Sequence, residues 1–278
     1  MLKNMKWTKF KKWLKRTFTF KRKQLCIPYG VFLVLFIIIP ILLIVFYAFT
    51  DANGYPSFDA LVNFFTSWTK INVLFISAFV GLLTTIFCLL IGYPLAYFLA
   101  NKKINKNAVL ITLFIAPMWI NFVLRTGATK DLLNWLGISG GKYPYLATII
   151  GMVYNYLPFV ILPLYTTMLK MDKSQIEAAS DLGANPFQVF IKSIIPQTVP
   201  GIISAILMTF MPTMSSYVIS DALSEGKITL LGNYIYLDFS MSAWNDGSFM
   251  ALIMLIIVGI SMLITRGNEK EENRGSNL

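Results

Sequence analysis

The chain has 278 residues, of which 56% are hydrophobic and only 13% charged, with a mean hydropathy of +0.64. A soluble domain of ordinary composition carries about 25% charged residues, so an integral membrane protein is expected. Histidine is absent, which excludes serine–histidine triads, His-ligated zinc and His proton relays.

The net charge of +11 is concentrated in residues 1–24, a basic tail that holds ten Lys or Arg and no acid. Beside an apolar run, such a tail is a topology signal and not a nucleic-acid patch. The first apolar run, Leu25–Phe49, is too long for the 7–15-residue core of a signal peptide and has no A-x-A site, so an uncleaved span is expected. Five further runs follow: Leu74–Leu99, Ala108–Leu124, Leu146–Leu169, Gly201–Ile219 and Phe249–Ile264. Each approaches the roughly 20 apolar residues that cross a bilayer, and the last requires a few flanking residues. Cys26 and Cys88 lie in or at these runs and read as small hydrophobes. Pro28, Pro40, Pro94, Pro117, Pro158, Pro163 and Pro212 interrupt them. Proline is tolerated in membrane helices and also kinks them around cavities; the two readings stand equal here.

Placing the N-terminus in the cytoplasm leaves 19 Lys or Arg in inner segments and five in outer ones. The expectation is a six-span domain over 25–265, with both termini, the C-terminal tail 266–278 and the loop 170–196 inside.

That loop carries most of the local information. Ser174 stands three residues before Glu177, at capping-box spacing, so Gln175 to Leu182 is expected to form two helical turns. Ala178 and Ala179 are strong helix formers. Gly183 suits the left-handed position past a helix end. Asn185-Pro186 reads as a cap and first residue of a second helix, with Phe187, Phe190, Ile191 and Ile194 on one apolar side and a stop near Pro196. The pattern alone fits a surface helix without a partner as well as a docking helix.

The loop resembles the EAA loop of membrane subunits of ATP-binding-cassette importers. Glu177, Ala178, Ala179, Gly183 and Pro196 match it, while Ser193 and Ile195 stand where Ile and Leu are usual. Ile91–Ala100 is similar to the end of the matching span in those permeases. Ala116–Thr126, with Pro117, Trp119 and Arg125, resembles the first permease subunit of spermidine/putrescine importers. So does Tyr217–Asp221 followed by Leu231-Gly232-Asn233, with Ser216 and Ser220 departing from the family's Glu and Pro.

This resemblance implies an all-α integral membrane protein of the type I importer permease fold in a bacterial cell membrane. Glu177, Ala178, Ala179 and Gly183 are implied to meet an ATPase and couple its motion to the spans. The implied partners are a second permease subunit in a heterodimer, an ATPase dimer, an extracellular or periplasmic polyamine-binding protein and the lipid bilayer, with no nucleic acid. No cofactor or metal is expected on this chain. Gly141-Lys142 and Gly226-Lys227 fail the G-x-x-x-x-G-K-[ST] pattern, which leaves ATP and Mg to the partner ATPase, so the chain is a transport subunit and not an enzyme.

A polyamine needs acids, aromatic faces or carbonyls in place of water. Trp119, Tyr154, Asn155, Tyr217 and Asp221 are the pathway candidates. The aromatics also read as interface anchors or packing residues, and Asp221 as a solvated loop acid. Arg125 reads as packed or carbonyl-paired at the outer edge. The rivals are the same architecture importing a phosphonate, ferric iron or thiamine, and a stand-alone channel.

Overall fold

The computed structural model describes residues 26–51, 53–101 and 109–275, with side chains for 27–51, 53–101 and 109–263. The basic tail and Leu25 lie outside the described residues. The described chain is built of helices: α1 (Cys26–Leu33), α2 (Ile39–Ala48), α3 (Asp59–Thr66), α4 (Trp68–Ala100), α5 (Val109–Ile115), α6 (Phe122–Trp135), α7 (Pro144–Met168), α8 (Lys173–Asp181), α9 (Pro186–Val189), α10 (Ile195–Ser215), α11 (Val218–Ser224), α12 (Leu231–Ser240) and α13 (Trp244–Gly275).

Among the described residues, five stretches are long and apolar enough to cross a membrane: Ile27–Ala48, Trp68–Ala100, Pro144–Met168, Pro186–Ser215 and Trp244–Leu263. A sixth, Val109–Trp119 with Phe122–Trp135, is bent by 97°. The last span starts at Trp244, as the shortness of the Phe249–Ile264 run requires. Its helix continues to Gly275, so the segment 266–275 is helical.

Three spans form the centre. α4, α7 and α10 pack mutually, burying Cys88, Ala96, Val160, Ile161, Leu164 and Ala205. Small residues permit this closeness. A Cβ on Gly92 would lie 2.8 Å from the side chain of Val160, so only glycine fits that crossing. A second cluster joins α2, α3 and α13 to the start of α4 through Phe64, Val73, Phe249 and Met250. A third places α11 against α7, through Met152, Ile219 and Leu223.

Three expectations are corrected. The third run does not continue as one helix to Leu124. A 3₁₀ turn at Ala116–Trp119 ends it, and Asn121 starts a new helix by accepting the Val123 N–H at 2.8 Å. Pro117 supplies no N–H, and an asparagine carboxamide caps a helix better than any apolar neighbour. The fifth run ends at Ser215, where Ser216 turns extended (ψ 115°), so Tyr217 to Ile219 leave the span. Its start is also earlier. The chain stays helical from Pro186 to Ser215, through a π turn at Phe190–Ile194 and past Pro196. The wider turn accommodates the proline ring, which would otherwise press on the Lys192 carbonyl. The segments between spans also contain the short helices α3, α11 and α12.

Candidate functional site

Two regions gather the candidate residues. The first is the loop between α7 and α10. α8 starts two residues earlier than expected: Asp172, not Ser174, is its cap, accepting from the Ser174 N–H at 2.9 Å and its hydroxyl at 2.7 Å. Those Ser174 bonds hold the Asp172 carboxyl below the ordinary aspartate range. The capping-box spacing from Ser174 to Glu177 therefore closes no box.

At the other end, Gly183 adopts φ +82°. The Ala184 N–H reaches Ala179 O at 3.1 Å, and the Gly183 N–H reaches Ser180 O at 2.9 Å, the paired bonds of a Schellman cap. Asn185 and Gln188 then form a reciprocal capping box. Glu177 and Ala178 are exposed, Ala179 is half-buried, and Leu182 is 89% exposed. Leu182 escaped the sequence reading; its signal is an apolar side chain next to a turn glycine in a polar loop.

The second helix turns a different face inward than expected. Val189 and Ile194 are buried, while Phe187 and Ile191 are exposed. Phe190 meets the Tyr93 ring edge-on at 5.6 Å, and the Tyr93 hydroxyl lies 2.8 Å from Thr198 Oγ1. Gln197 Oε1 accepts the Asp172 N–H at 2.9 Å. These contacts fasten the loop to α4 and α10 and leave the α8 surface open.

The second region is a cavity of about 600 Å³ formed by the bend after Pro117, by α7 and by the end of α10. Trp119, Asn155 and Tyr217 line it together. Trp119 is 79% exposed. Asn155 is buried, donating to Gly151 O at 2.8 Å. Tyr217 stacks on Tyr236, with centroids 4.9 Å apart and planes 8° from parallel. Phe122, Tyr156 and Phe159 add further aromatic wall.

Tyr154 faces a neighbouring apolar hollow with Leu124 and Leu132. Its ring lies 5.8 Å from the Arg125 guanidinium carbon. Asp221 is exposed in the first turn of α11 and is not among the cavity-lining residues. Arg125 is 7% exposed and is carbonyl-paired, as expected, but in the cavity wall. It donates to Asn155 Oδ1 at 2.7 Å, Pro117 O at 2.8 Å and Asn155 O at 3.3 Å. Among the described residues the lining therefore contains one cation, no carboxylate and several aromatic faces. Such a wall can hold a cation by ring faces and carbonyls.

The family model described as "Binding-protein-dependent transport system inner membrane component" matches residues 75–267. The spermidine/putrescine transport system permease protein PotB of Escherichia coli (strain K12) is 34% identical over 253 residues, covering 84% of this chain and 92% of that protein. PotB of Haemophilus influenzae is 32% identical, covering 87% and 92%. A PotB homolog of Mycoplasma genitalium is 30% identical, covering 78% and 79%. A bacterial ABC transporter chain involved in import of the acidic polysaccharide alginate superimposes with a TM-score of 0.66 at 16% identity, covering 94% and 98% of the two chains. The structural likeness shows the shared fold, and the family match covers most of the chain: this protein belongs to the binding-protein-dependent transport system inner membrane components.

Proposed function

We propose that the chain is a permease subunit of an ABC importer for polyamines, spermidine or putrescine, in the bacterial inner membrane. The observation that carries this reading is the likeness to PotB proteins over 84% of the chain. The cavity agrees with it, since a flexible polycation brings methylenes for aromatic walls as well as ammonium groups for ring faces.

In this reading both termini and the loop of α8 face the cytoplasm, which the Lys and Arg distribution favours. Glu177, Ala178, Ala179 and Gly183 dock an ATPase dimer, which holds ATP and Mg. A second permease subunit completes a heterodimer and supplies the carboxylates that this cavity wall lacks. An extracellular or periplasmic binding protein delivers the substrate; a solved relative of the same fold is described in complex with its periplasmic protein. Trp119, Tyr217 and Asn155 contact the substrate, Tyr154 supports them from the adjoining hollow, and Asp221 acts as an approach charge outside the cavity.

A second reading has one observation behind it. A cavity with Arg125 and no acid suits an anionic solute such as a phosphonate. Three neutral acceptors already occupy the guanidinium, which favours a wall role over anion capture. Proteoliposomes holding the full complex and loaded with ATP decide between the two. ATP-dependent uptake of labelled spermidine or putrescine, uncompeted by alkylphosphonate, is expected; uptake of phosphonate and not of polyamine would overturn the proposal.

A further inference from the structure

The break in the third apolar segment leaves a backbone acceptor in need. In an unbroken helix the Pro117 carbonyl would accept the Asn121 N–H. Here the chain turns through 97°, and the Ile120 N–H reaches Pro117 O at 3.2 Å in the tighter turn. The Asn121 side chain is committed to Val123 N. Arg125 Nη1 supplies a second donor to Pro117 O at 2.8 Å, from one turn inside the next helix. The same guanidinium reaches across to α7, where Nε meets Asn155 Oδ1 at 2.7 Å and Nη2 meets Asn155 O at 3.3 Å. Asn155 is 1% exposed and is itself fixed by its bond to Gly151 O.

Among the described residues Arg125 makes no ion pair. A charge this buried is costly unless hydrogen-bonded, and its side-chain bonds go to the Pro117 carbonyl at the bend and to Asn155 on α7. We propose that Arg125 is a positioning residue: its planar fork braces the bent third segment against α7 and so sets the width of the cavity that Trp119 and Asn155 line. The requirement is the fork, not the charge. A lysine ammonium is a single point donor on a flexible stem, and cannot span the Pro117 carbonyl and both Asn155 oxygens in one plane.

The effect on uptake rests on the proposed transport function. The bend itself does not, and it is read without substrate. Spin labels at Leu113→Cys on α5 and Leu132→Cys on α6, in a background with Cys26→Ser and Cys88→Ala, report the angle between the two arms. With Arg125 intact one narrow distance is expected. Arg125→Gln and Arg125→Lys should both broaden it toward longer distances, lowering the ratio of bent to opened segments about tenfold or more, since hydrogen bonds to a charged group are lost. Asn155→Leu removes the Oδ1 acceptor and should broaden the distance as the Arg125 variants do.

In uptake assays the Arg125 variants should lose maximal rate with little change in half-saturating polyamine concentration. A narrow distribution in Arg125→Gln overturns the brace, as does wild-type behaviour of Arg125→Lys, which would show that charge alone suffices. Should Arg125→Gln fail to accumulate, Arg125→Lys and Asn155→Leu still decide. A narrow distribution in Asn155→Leu would mean that α7 is not the anchor, and would also sink the proposal.

Discussion

Lys70 and Asp246 form an ion pair at 3.0 Å that links the first turn of α4 to the first turn of α13. Lys70 is 7% exposed, buried beside the cluster of Phe64, Val73 and Phe249. The pair closes two helices that start far apart in sequence.

Removing one partner strands the other. Lys70→Met and Asp246→Asn should each destabilise the protein by about 1–3 kcal/mol, less than the 3–5 kcal/mol of a wholly buried pair, because Asp246 is more open to solvent. The double variant should cost less than the sum. Thermal unfolding of the detergent-solubilised protein measures the cycle, and strict additivity would show that the pair contributes nothing.

Asp238, on α12, adds a pH dependence. Burial pushes its carboxyl above the ordinary range; Lys70 pulls it down and Asp246 raises it again. A carboxyl raised in the folded state is more stable protonated, so it favours folding at acid pH. That contribution is lost as pH rises from the ordinary aspartate value, about 3.9, through the raised one. Asp238→Asn should flatten this slope in melting temperature against pH. Unchanged slopes in variant and wild type would place the titration elsewhere.

The loop of α8 should fail in a characteristic way. Gly183 holds φ +82°, which costs a residue with a Cβ roughly 1–2 kcal/mol. Gly183→Val, Glu177→Lys and Leu182→Ser should weaken association with the ATPase or its coupling to uptake, while the protein still reaches the membrane. Co-purification and ATP-driven uptake are the measurements. Normal values for all three would reduce the loop to a plain surface helix.

Orientation is tested with single cysteines in a background lacking Cys26 and Cys88. Lys173→Cys should react with impermeant maleimides only from the cytoplasmic side, and Asn53→Cys and Gly226→Cys only from outside. Labelling of Lys173→Cys in intact cells would invert the topology and remove the coupling argument.

In the cavity, Trp119→Leu keeps an apolar side chain and removes the ring face, which is worth about 0.5–2 kcal/mol to a cation. Polyamine uptake should fall while basal ATPase activity of the complex persists. Asp221→Asn should have a smaller effect, visible at low substrate and low salt, because Asp221 is exposed outside the lining. Equal losses from both changes would place Asp221 in the path.

The spans were legible because apolar runs of bilayer length are a direct physical signal, and Gly183 and Asn185-Pro186 because their backbone chemistry is local. The breaks were harder. Asn121 ends the third run inside apolar sequence, and its effect depends on a cap bond that residue type alone does not guarantee. Ser216 breaks the fifth run with no proline or glycine at the break itself. Ser174 had the spacing of a cap, but Asp172, a stronger acceptor two residues earlier, took the role. Arg125, Tyr156 and Tyr236 reach their places through contacts with distant segments, and hydropathy carries no record of those.

The helical continuity from Pro186 to Ser215 gives the loop a lever arm. Thirty residues at 1.5 Å each make it about 45 Å long. One end carries the Asn185 capping box and the other ends beside Tyr217 in the cavity wall. If it tilts as a unit by about 5° about its middle, each end moves about 2 Å in opposite directions. A push on the loop from one side of the bilayer would then widen or narrow the cavity on the other, by geometry alone and without a hinge inside the span.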